Sequence, residues 1–366
     1  MDILTDIFEK LKAVMTVSGY ETVNAPIIRA IAENVAEGFF DGTEITKSGS
    51  ILLYRKPRKE GASTILLDAH IDTIGMVVSE LCDDGFVRCS PVGGIDRRIL
   101  ATAEVELYGK RTLRGLFSSV PPHLAKKNGD DSLPDFEDFL IDTGLCDEEL
   151  SNAVSVGDPV TFYGNTQRLL CDRVASAHLD DKICCAAILD ACRRANGFDI
   201  CCGVTVLLSS GEETREGGAQ TSSFVTSADG AVALDVNFAK EKDVPDHQSS
   251  RLGDGAMISR SAVTDRRMTD LVIGCAKNAD IPHKVIAEVA GTGTNADIIE
   301  VANRGTPCAV LSVPIKYMHT PSETCSLSDV KAVSDILLEV MKNFHIMSRS
   351  EKTALGVRYL KGGEGK

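Results

Sequence analysis

Two adjacent glutamates, Glu212 and Glu213, follow a short run of apolar residues at 204–208. A continuous apolar run of this length is typical of a strand that is buried on both faces. Open α/β sheets bind their ligands at the carboxyl ends of such strands. Two acids at this position therefore predict chemistry, whereas the same pair on an exposed helix face would not.

Acids and histidines occupy four further positions of this kind. Three of these clusters lie at the ends of predicted strands: the pair His70 and Asp72, then Asp235, then His319. The fourth is Asp180, at the start of a predicted helix. Because the carboxyl ends of parallel strands meet at one edge of a sheet, we expect these side chains to converge on one pocket. Each cluster alone is common, since an acid at a helix start usually caps the helix. Their joint placement is what predicts a site.

Imidazole nitrogens and carboxylate oxygens together suit zinc, cobalt or manganese. Two such ions that share a bridging carboxylate would form the clamp used in metal-assisted hydrolysis. His70 and Asp72 are two residues apart, so on a strand they point to the same side, and Asp72 can accept the second ring N–H of His70. Glu212 and Glu213 point in different directions, so one can bind metal while the other acts on the metal-activated water.

The elements that carry these residues predict an α/β fold with a largely parallel sheet. Helical and strand-like segments alternate from residue 180 onward, as in a parallel sheet covered by helices. The predicted helices are 180–196, 219–226, 265–278, 297–303 and 328–343, and the predicted strands are 204–208, 231–235, 284–289 and 308–313. The preceding part adds helices at 3–15 and 22–36 and strands at 49–54 and 63–68.

The sequence pattern changes after His70 and Asp72, and this change predicts a small all-β domain inserted into the α/β domain. Short β-like pieces are separated by glycine, proline and aspartate, and only 133–140 has helical spacing. The predicted domains are a discontinuous catalytic domain, the insertion and a tail: 1–72 with 168–350, 73–167, and 351–366. We expect the loop at 118–133 to be exposed and mobile and the glycine-rich end of the tail, at 361–366, to be disordered.

The composition limits the partners and the compartment. Of the 366 residues 43% are apolar and 25% charged, a globular balance, and the net charge of −14 argues against nucleic acid or an anionic membrane as a partner. A signal peptide and a membrane span are not predicted, since there is neither a basic leader nor a long apolar stretch. The twelve cysteines lie mostly in apolar segments and include no C-x-x-C, which favours buried thiols in a reducing cytoplasm.

Taken in order, eight segments of the chain resemble the M42 metallo-aminopeptidases, a family that includes glutamyl aminopeptidases and cellulase M-like proteins. The resemblance covers about residues 5–345 and rests on Ser18-Gly-Tyr-Glu21, Ala69-His-Ile-Asp-Thr-Ile-Gly75, Pro121-Pro-His123, Val156-Gly-Asp158, Leu179-Asp-Asp-Lys182, Gly211-Glu-Glu213, Ala233-Leu-Asp235 and His319-Thr-Pro-Ser-Glu323. It implies an α/β peptidase domain with an inserted β-barrel or PDZ-like domain. It also implies peptide substrates and assembly into tetrahedral homododecamers that enclose the active sites.

The resemblance further implies two divalent metal ions per subunit, zinc or cobalt, with manganese as a third choice. Asp180 would bridge the ions. The other ligands would form two pairs, one for each ion: His70 with Asp235, and Glu213 with His319. Glu212 would be the general base, and Asp72 would orient His70.

Three positions depart from the family pattern. Thr73 follows Asp72 where relatives commonly have glutamate, Lys182 stands where they often have arginine, and Asn295 replaces an aspartate. All proposed ligands are present, so these departures concern substrate specificity more than the chemistry.

Several alternatives stay open at this point. One keeps the metal pair but hydrolyses N-acyl amino acids. A glucanase is a weaker reading, because glycosidases use two carboxylates without metals and both histidines would then be idle. A third is a catalytically inactive, shell-forming scaffold. Two further histidines have other interpretations. His178 either supports the metal ligands or is structural, and His123 is a loop residue, with contact to a neighbouring subunit's active site as its alternative.

Overall fold

The computed structural model describes residues 2–119, 134–289 and 291–344. The chain forms a mixed α/β domain and a closed six-stranded barrel, so the predicted fold class is confirmed. Within these ranges the helices are α1 (Ile3–Lys12), α2 (Glu21–Val35), α3 (Asp147–Ala153), α4 (Leu179–Ala195), α5 (Glu212–Arg215), α6 (Gly217–Val225), α7 (Arg266–Asn278), α8 (Ala296–Ile299) and α9 (Leu327–Asn343). The strands are β1 (Gly42–Ile45), β2 (Ile51–Arg55), β3 (Thr64–His70), β4 (Gly75–Leu81), β5 (Phe86–Val92), β6 (Glu104–Tyr108), β7 (Thr112–Phe117), β8 (Leu140–Asp142), β9 (Pro159–Phe162), β10 (Gln167–Leu169), β11 (Arg173–Ser176), β12 (Gly203–Ser209), β13 (Gly230–Phe238), β14 (Ala256–Arg260), β15 (His283–Ala287), β16 (Cys308–Lys316) and β17 (Glu323–Ser326).

Four parallel strands form the centre of the large sheet, in the order β12, β3, β13, β16. Their residues are buried almost throughout, because helices cover both faces of the sheet. One face packs against α1, α2, α4, α7 and α9, and the other packs against α6 and α8. Antiparallel strands flank this centre, with β2 and β1 on one side and β17, β11 and β10 on the other.

The register of the central strands brings their polar ends together. His70 is the last residue of β3 and pairs with Ser209, the last residue of β12, so the two glutamates lie directly beyond that pair. Asp235 lies on β13 opposite Ser312 of β16. His319 lies in the connection from β16 to β17. Parallel pairing therefore collects these residues at one edge of the sheet.

Helix α4 begins irregularly at the residues that the sequence marks for chemistry. His178, directly before it, has a left-handed backbone with φ 63°. Asp180 is extended, with φ −73° and ψ 110°, although it is counted within the helix. The Asp180 carboxylate is thus presented from an extended segment, and the buried helix that follows anchors this segment in the core.

The inserted region forms an antiparallel barrel in the strand order β4, β5, β8, β7, β6, β9. Its strands fall between Gly75 and Phe162, inside the predicted insertion at 73–167, whose boundaries remain a prediction. The barrel has a hydrophobic core of its own, built around residues such as Val105 and Val160. It is joined to the α/β domain directly beyond β3, and therefore beside the edge where the polar residues meet.

The helix predicted at 133–140 is wrong over the part that the structure describes. Phe136–Asp138 is a single 3-10 turn, and β8 follows it. Phe139 and Ile141 are buried in the barrel core, so the apolar spacing serves the barrel and not a helix. The short helix α3 was not predicted, since it is only seven residues long and buries only two of them.

Two predictions concern segments that lie wholly or mainly outside the described residues. The loop at 118–133, with His123, lies outside the described residues beyond position 119, and so does the tail at 351–366. No helix in the described part of the chain is long and apolar enough to cross a membrane.

Candidate metal centre

His70 is held at the end of β3 and is 1% exposed. Its Nδ1–H donates to the backbone carbonyl of Asp72 at 2.9 Å, and its Nε2 lies 3.1 Å from Asp180 Oδ1. The carboxylate of Asp72 is farther from the ring, with 3.6 Å between Oδ1 and Nδ1. The chain turn after β3 thus makes the Asp72 carbonyl, and not its carboxylate, the nearer partner of the ring.

The carboxylate of Asp72 supports the glutamate pair. It is fully buried and accepts hydrogen bonds from the backbone N–H of Glu212 at 3.0 Å and of Glu213 at 3.1 Å. Asp72 therefore fixes the backbone that carries both glutamates. Its predicted role in orienting His70 stays a prediction.

His319 enters the site from a loop and not from a strand. Its backbone is left-handed, with φ 61°. Its Nε2 lies 3.2 Å from Asp180 Oδ2 and 3.4 Å from Glu213 Oε2. Its Nδ1–H donates to the carbonyl of Gly94, just beyond strand β5 of the barrel, at 3.0 Å. The barrel thus orients one of the predicted ligands.

Glu323 is a second buried carboxylate that holds backbone, and the sequence analysis gave it no role. Its Oε1 accepts from the N–H of His319 at 2.8 Å, and its Oε2 accepts from the N–H of Asp180 at 3.1 Å. The carboxylate is 2% exposed, so these two bonds are shielded from water. Its only sequence signal was its position at the end of the segment that begins with His319.

All five predicted metal ligands come together in two clusters that share Asp180. In each cluster the candidate ligand atoms lie within 4.8 Å of one another: His70, Asp180 and Asp235 in one, and Asp180, Glu213 and His319 in the other. Each cluster offers one imidazole nitrogen and two carboxylates.

Glu212 lies beside the clusters but belongs to neither of them. Its Oε2 is 3.9 Å from His70 Nε2, and its side chain is 13% exposed. It is the first residue of α5, after Gly211, which has φ 72° and so adopts a left-handed turn that glycine allows without strain. This sharp turn at the end of β12 separates the direction of Glu212 from that of Glu213.

Burial and mutual repulsion change the protonation of the acids. Burial raises the pKa of Glu212, and burial followed by repulsion from Asp180 raises the pKa of Glu213 to about 8. Burial and the nearby Asp181 raise the pKa of Asp235 well above its ordinary value. Burial alone would raise the pKa of Asp180 as well, but its bonds to the two imidazoles hold it below the usual range.

The two imidazoles respond in the opposite sense. Burial on its own would lower the pKa of both rings. Hydrogen bonding to Asp180 nevertheless raises the pKa of His70 well above its ordinary value and that of His319 to about 9. The site therefore stabilises positive charge, as expected where carboxylates outnumber imidazoles.

This donor set fits divalent cations. Nitrogen and oxygen donors in this proportion suit zinc, cobalt or manganese. Glu213 Oε1 is buried and has no hydrogen-bond partner among the described residues, so it has capacity for a further positive partner. The Nδ1 atoms of His70 and His319 each donate to a backbone carbonyl, so Nε2 is the atom of each ring that can act as a ligand once its proton has left.

Three residues beside Asp180, of which Asp181 and Lys182 are buried, complete the surroundings. Burial and then Lys182 lower the pKa of His178 to about 3, and its predicted supporting or structural role stays a prediction. Lys182 is itself buried and donates from Nζ to the carbonyl of Val14 at 2.7 Å, and burial lowers its pKa to about 7. Both carboxylate oxygens of Asp181 are buried without a hydrogen-bond partner among the described residues.

A cavity of about 420 Å³ opens onto the candidate metal ligands. Away from the candidate ligands, its wall is formed by residues from β13, from the segment between β15 and α8, and from the connections that follow β13 and β16: Val236, Asn237, Phe238, Gln248, Glu288, Val289, Gly291, Thr292, Gly293, Thr294 and Met318. Asn295, which departs from the family pattern, is absent from this wall. Its Nδ2 donates to Asp68 Oδ2 and Ser209 Oγ, each at 2.9 Å, beneath the site.

Comparison with known proteins identifies the family. Residues 49–336 match the family model of the M42 glutamyl aminopeptidases. The chain belongs to the M42 family. Among curated relatives, the lysyl aminopeptidase of Pyrococcus furiosus is 28% identical over 333 residues, which cover 89% of this chain and 94% of that protein. The glutamyl aminopeptidase of Lactococcus lactis is 22% identical over 355 residues, which cover 93% and 97%.

Solved structures of M42-like aminopeptidases share the fold over nearly the whole chain. The aminopeptidase APDkam598 from the archaeon Desulfurococcus kamchatkensis superposes with a TM-score of 0.84 at 26% identity, covering 93% of this chain and 94% of that one. The TET1 peptidase of Pyrococcus horikoshii, described as assembling into a tetrahedron or a large octahedral shell, gives 0.78 at 26% identity, covering 93% and 99%. The prediction of a metal-dependent aminopeptidase, a hydrolase of the M42 family, is confirmed.

Proposed function

We propose that the M42 site of this chain works with two divalent ions bridged by Asp180, and that Glu212 is its general base. The remaining ligands would form two pairs: His70 with Asp235 at one ion, and Glu213 with His319 at the other. The observation that supports this division is the pair of ligand clusters that share one carboxylate. The proposed ions are zinc or cobalt, with manganese as a third choice.

The ions, when bound, supply Lewis-acid polarisation of the scissile carbonyl and lower the pKa of water. The chain does the rest. Glu212 takes a proton from the attacking water and passes it to the leaving amine, a role worth about 10²–10⁴-fold in rate. Burial raises the pKa of Glu212, which brings a carboxylate closer to the pKa that a base needs near neutral pH. Asp72 holds the Glu212 backbone in place for both transfers.

A matched pair of substitutions tests the division between base and ligand. Glu212→Gln should keep the metal content of the wild type and lower kcat by about 10²–10⁴-fold. Glu213→Gln should lower the metal content, because it removes a ligand. The measurements are elemental analysis and turnover of aminoacyl-anilides on the same preparations. Full activity of a fully metal-loaded Glu212→Gln variant would exclude Glu212 as the base.

A substrate panel separates the alternatives. Aminoacyl-anilides, N-acyl amino acids and a cellulose-type polymer would be offered with cobalt, zinc and manganese added separately. We expect hydrolysis of the anilides alone. Cleavage of N-acyl amino acids would indicate a deacylase, and cleavage of the polymer a glucanase. Absence of metal binding and of all turnover would indicate an inactive scaffold.

Assembly into a tetrahedral homododecamer is part of the same proposal, supported by the TET peptidases that share this fold. Helices α6 and α8 contact each other, and apolar side chains at their ends are exposed, with Phe224 at 63%, Val225 at 72% and Val301 at 67%. Sedimentation velocity at several concentrations would test the expected twelvefold mass. The cytoplasmic location predicted from the cysteines also stays a proposal.

A further inference from the structure

We propose that Glu288 selects peptides whose N-terminal residue is lysine or arginine, an inference that rests on the proposed aminopeptidase function. A relative named lysyl aminopeptidase is 28% identical and one named glutamyl aminopeptidase is 22% identical, and neither identity is high enough to fix the specificity of this chain. The preferred side chain therefore has to be inferred from the cavity of this chain.

Glu288 is built into the wall of the cavity that contains the metal ligands. It follows β15, and its backbone N–H donates to the carbonyl of Arg260 at the end of β14, at 2.9 Å. This bond continues the β14–β15 ladder beyond the last residue of β15. The position of Glu288 is thus set by the sheet and not by a free loop.

One carboxylate oxygen of Glu288 is satisfied by the protein and the other is not. Its Oε1 accepts from Asn237 Nδ2 at 3.0 Å and from Ser259 Oγ at 3.1 Å. Its Oε2 is buried and has no hydrogen-bond partner among the described residues. A buried carboxylate oxygen without a donor is costly, and a cationic donor compensates for it best.

The charge of the wall favours a cation. Apart from the predicted ligands and Glu212, Glu288 is the one charged side chain among the described residues that line the cavity. Burial, and then repulsion from Asp297, raise the pKa of Glu288 against its two hydrogen bonds. A glutamyl side chain would bring a like charge to this carboxylate, whereas a lysine or arginine would neutralise it.

The same wall has apolar surface for the stem of a long basic side chain. Phe238, Val289 and Met318 line the cavity together with Glu288. Lysine and arginine combine an apolar stem with a charged end, and such side chains bury the stem along apolar surface. The cavity therefore matches both parts of a basic residue.

The test compares lysine with norleucine, which has the same carbon stem without the ammonium group. We expect the metal-loaded wild type to hydrolyse lysyl-anilide with a kcat/KM at least about tenfold above norleucyl-anilide, since a charge-assisted hydrogen bond is worth about ten- to hundredfold. Arginyl-anilide should group with lysyl-anilide, and glutamyl-anilide should be the poorest of the four.

Glu288→Gln should lower the lysine-to-norleucine ratio at least about fivefold, because the amide keeps the shape and removes the charge. Because a ratio of two kcat/KM values is compared, a loss of activity that affects both substrates equally does not change it. Glu60→Gln, at an exposed glutamate in the loop between β2 and β3, is the matched control and should keep the wild-type ratio. An unchanged ratio in Glu288→Gln, or a preference for norleucyl or glutamyl substrate in the wild type, would overturn the assignment.

The two proposals fail in different ways. If no aminoacyl-anilide is hydrolysed by the metal-loaded protein, the proposed function itself is wrong. If norleucyl or glutamyl substrate is hydrolysed well and lysyl substrate is not preferred, the aminopeptidase function stands and only the role of Glu288 is rejected.

Discussion

The two halves of the candidate metal centre, which are the two ligand clusters, share Asp180, yet they are built from different parts of the fold. The His70 half belongs to the central sheet, and the His70 side chain is 2% exposed. The His319 half stands on a loop and on the barrel, and the His319 side chain is 31% exposed. One predicted ligand is therefore enclosed by parallel strands, and its counterpart is open to the cavity.

The support of each ring reflects this difference. His70 donates to a carbonyl two residues along its own chain segment, so the turn that follows β3 helps to orient it. His319 donates to Gly94 of the barrel region, 225 residues away in sequence. The barrel is thus a structural part of one half only. Motion of the barrel relative to the α/β domain would disturb the His319 half first.

The largest expected difference between the halves is the rate at which a chelator removes their metal. Because a chelator reaches the exposed His319 side more readily, dialysis of the metal-loaded enzyme against EDTA should remove about half of the metal at least about tenfold faster than the rest. Elemental analysis of samples taken over time measures both phases. Loss of all metal in a single phase would show that the halves do not differ in this respect.

Two ligand variants assign the phases. His319→Ala should lack the fast phase, and His70→Ala should lack the slow one. A fast phase that persists in His319→Ala would contradict the assignment of the exposed half.

Glu323→Gln tests the carboxylate that joins the halves through backbone. The amide has one acceptor oxygen, so either His319 or Asp180 would present its N–H to an NH₂ group. Groups that orient ligands in this way typically account for about 10- to 100-fold in metal affinity or activity. We expect metal affinity, measured by titration of the metal-free protein, to fall within this range. Glu60→Gln is the control, and an unchanged affinity in Glu323→Gln would remove Glu323 from the site.

The sheet and the His70 half could be predicted from the sequence for the same physical reason. Strands covered on both faces read as continuous apolar runs, so β3, β12, β13 and β16 were found. Parallel strands share one carboxyl edge, so the acids and histidines beyond them had to converge. The edge strand β10 was missed, because its residues are all exposed and its structure depends on pairing with β11.

The other parts of the site depend on contacts that leave little trace in the sequence. Gly94 acts through a carbonyl that any residue type would offer. Glu323 and Glu288 are single acids whose importance comes from the backbone or the cavity beside them. Asp72 was identified, but its bonds to the backbone of the two glutamates were not predicted, since the period of a strand does not describe the turn that follows it.

Gly94→Ala tests the contribution of the barrel with a small change. A Cβ at this position would meet His319 Nδ1 at 3.2 Å, which is tighter than ordinary contact, so the ring would have to shift by a few tenths of an ångström. A side chain pushed off its preferred angle costs about 0.5–1.5 kcal/mol, or about two- to tenfold in metal affinity. We expect this loss of affinity only for the metal that EDTA removes in the fast phase. Titration of the metal-free protein and the EDTA time course measure it. Gly274→Ala in α7 is the control, because a Cβ there meets nothing within 4 Å. If both metals weakened equally in Gly94→Ala, the barrel would support the whole centre and not only its exposed half.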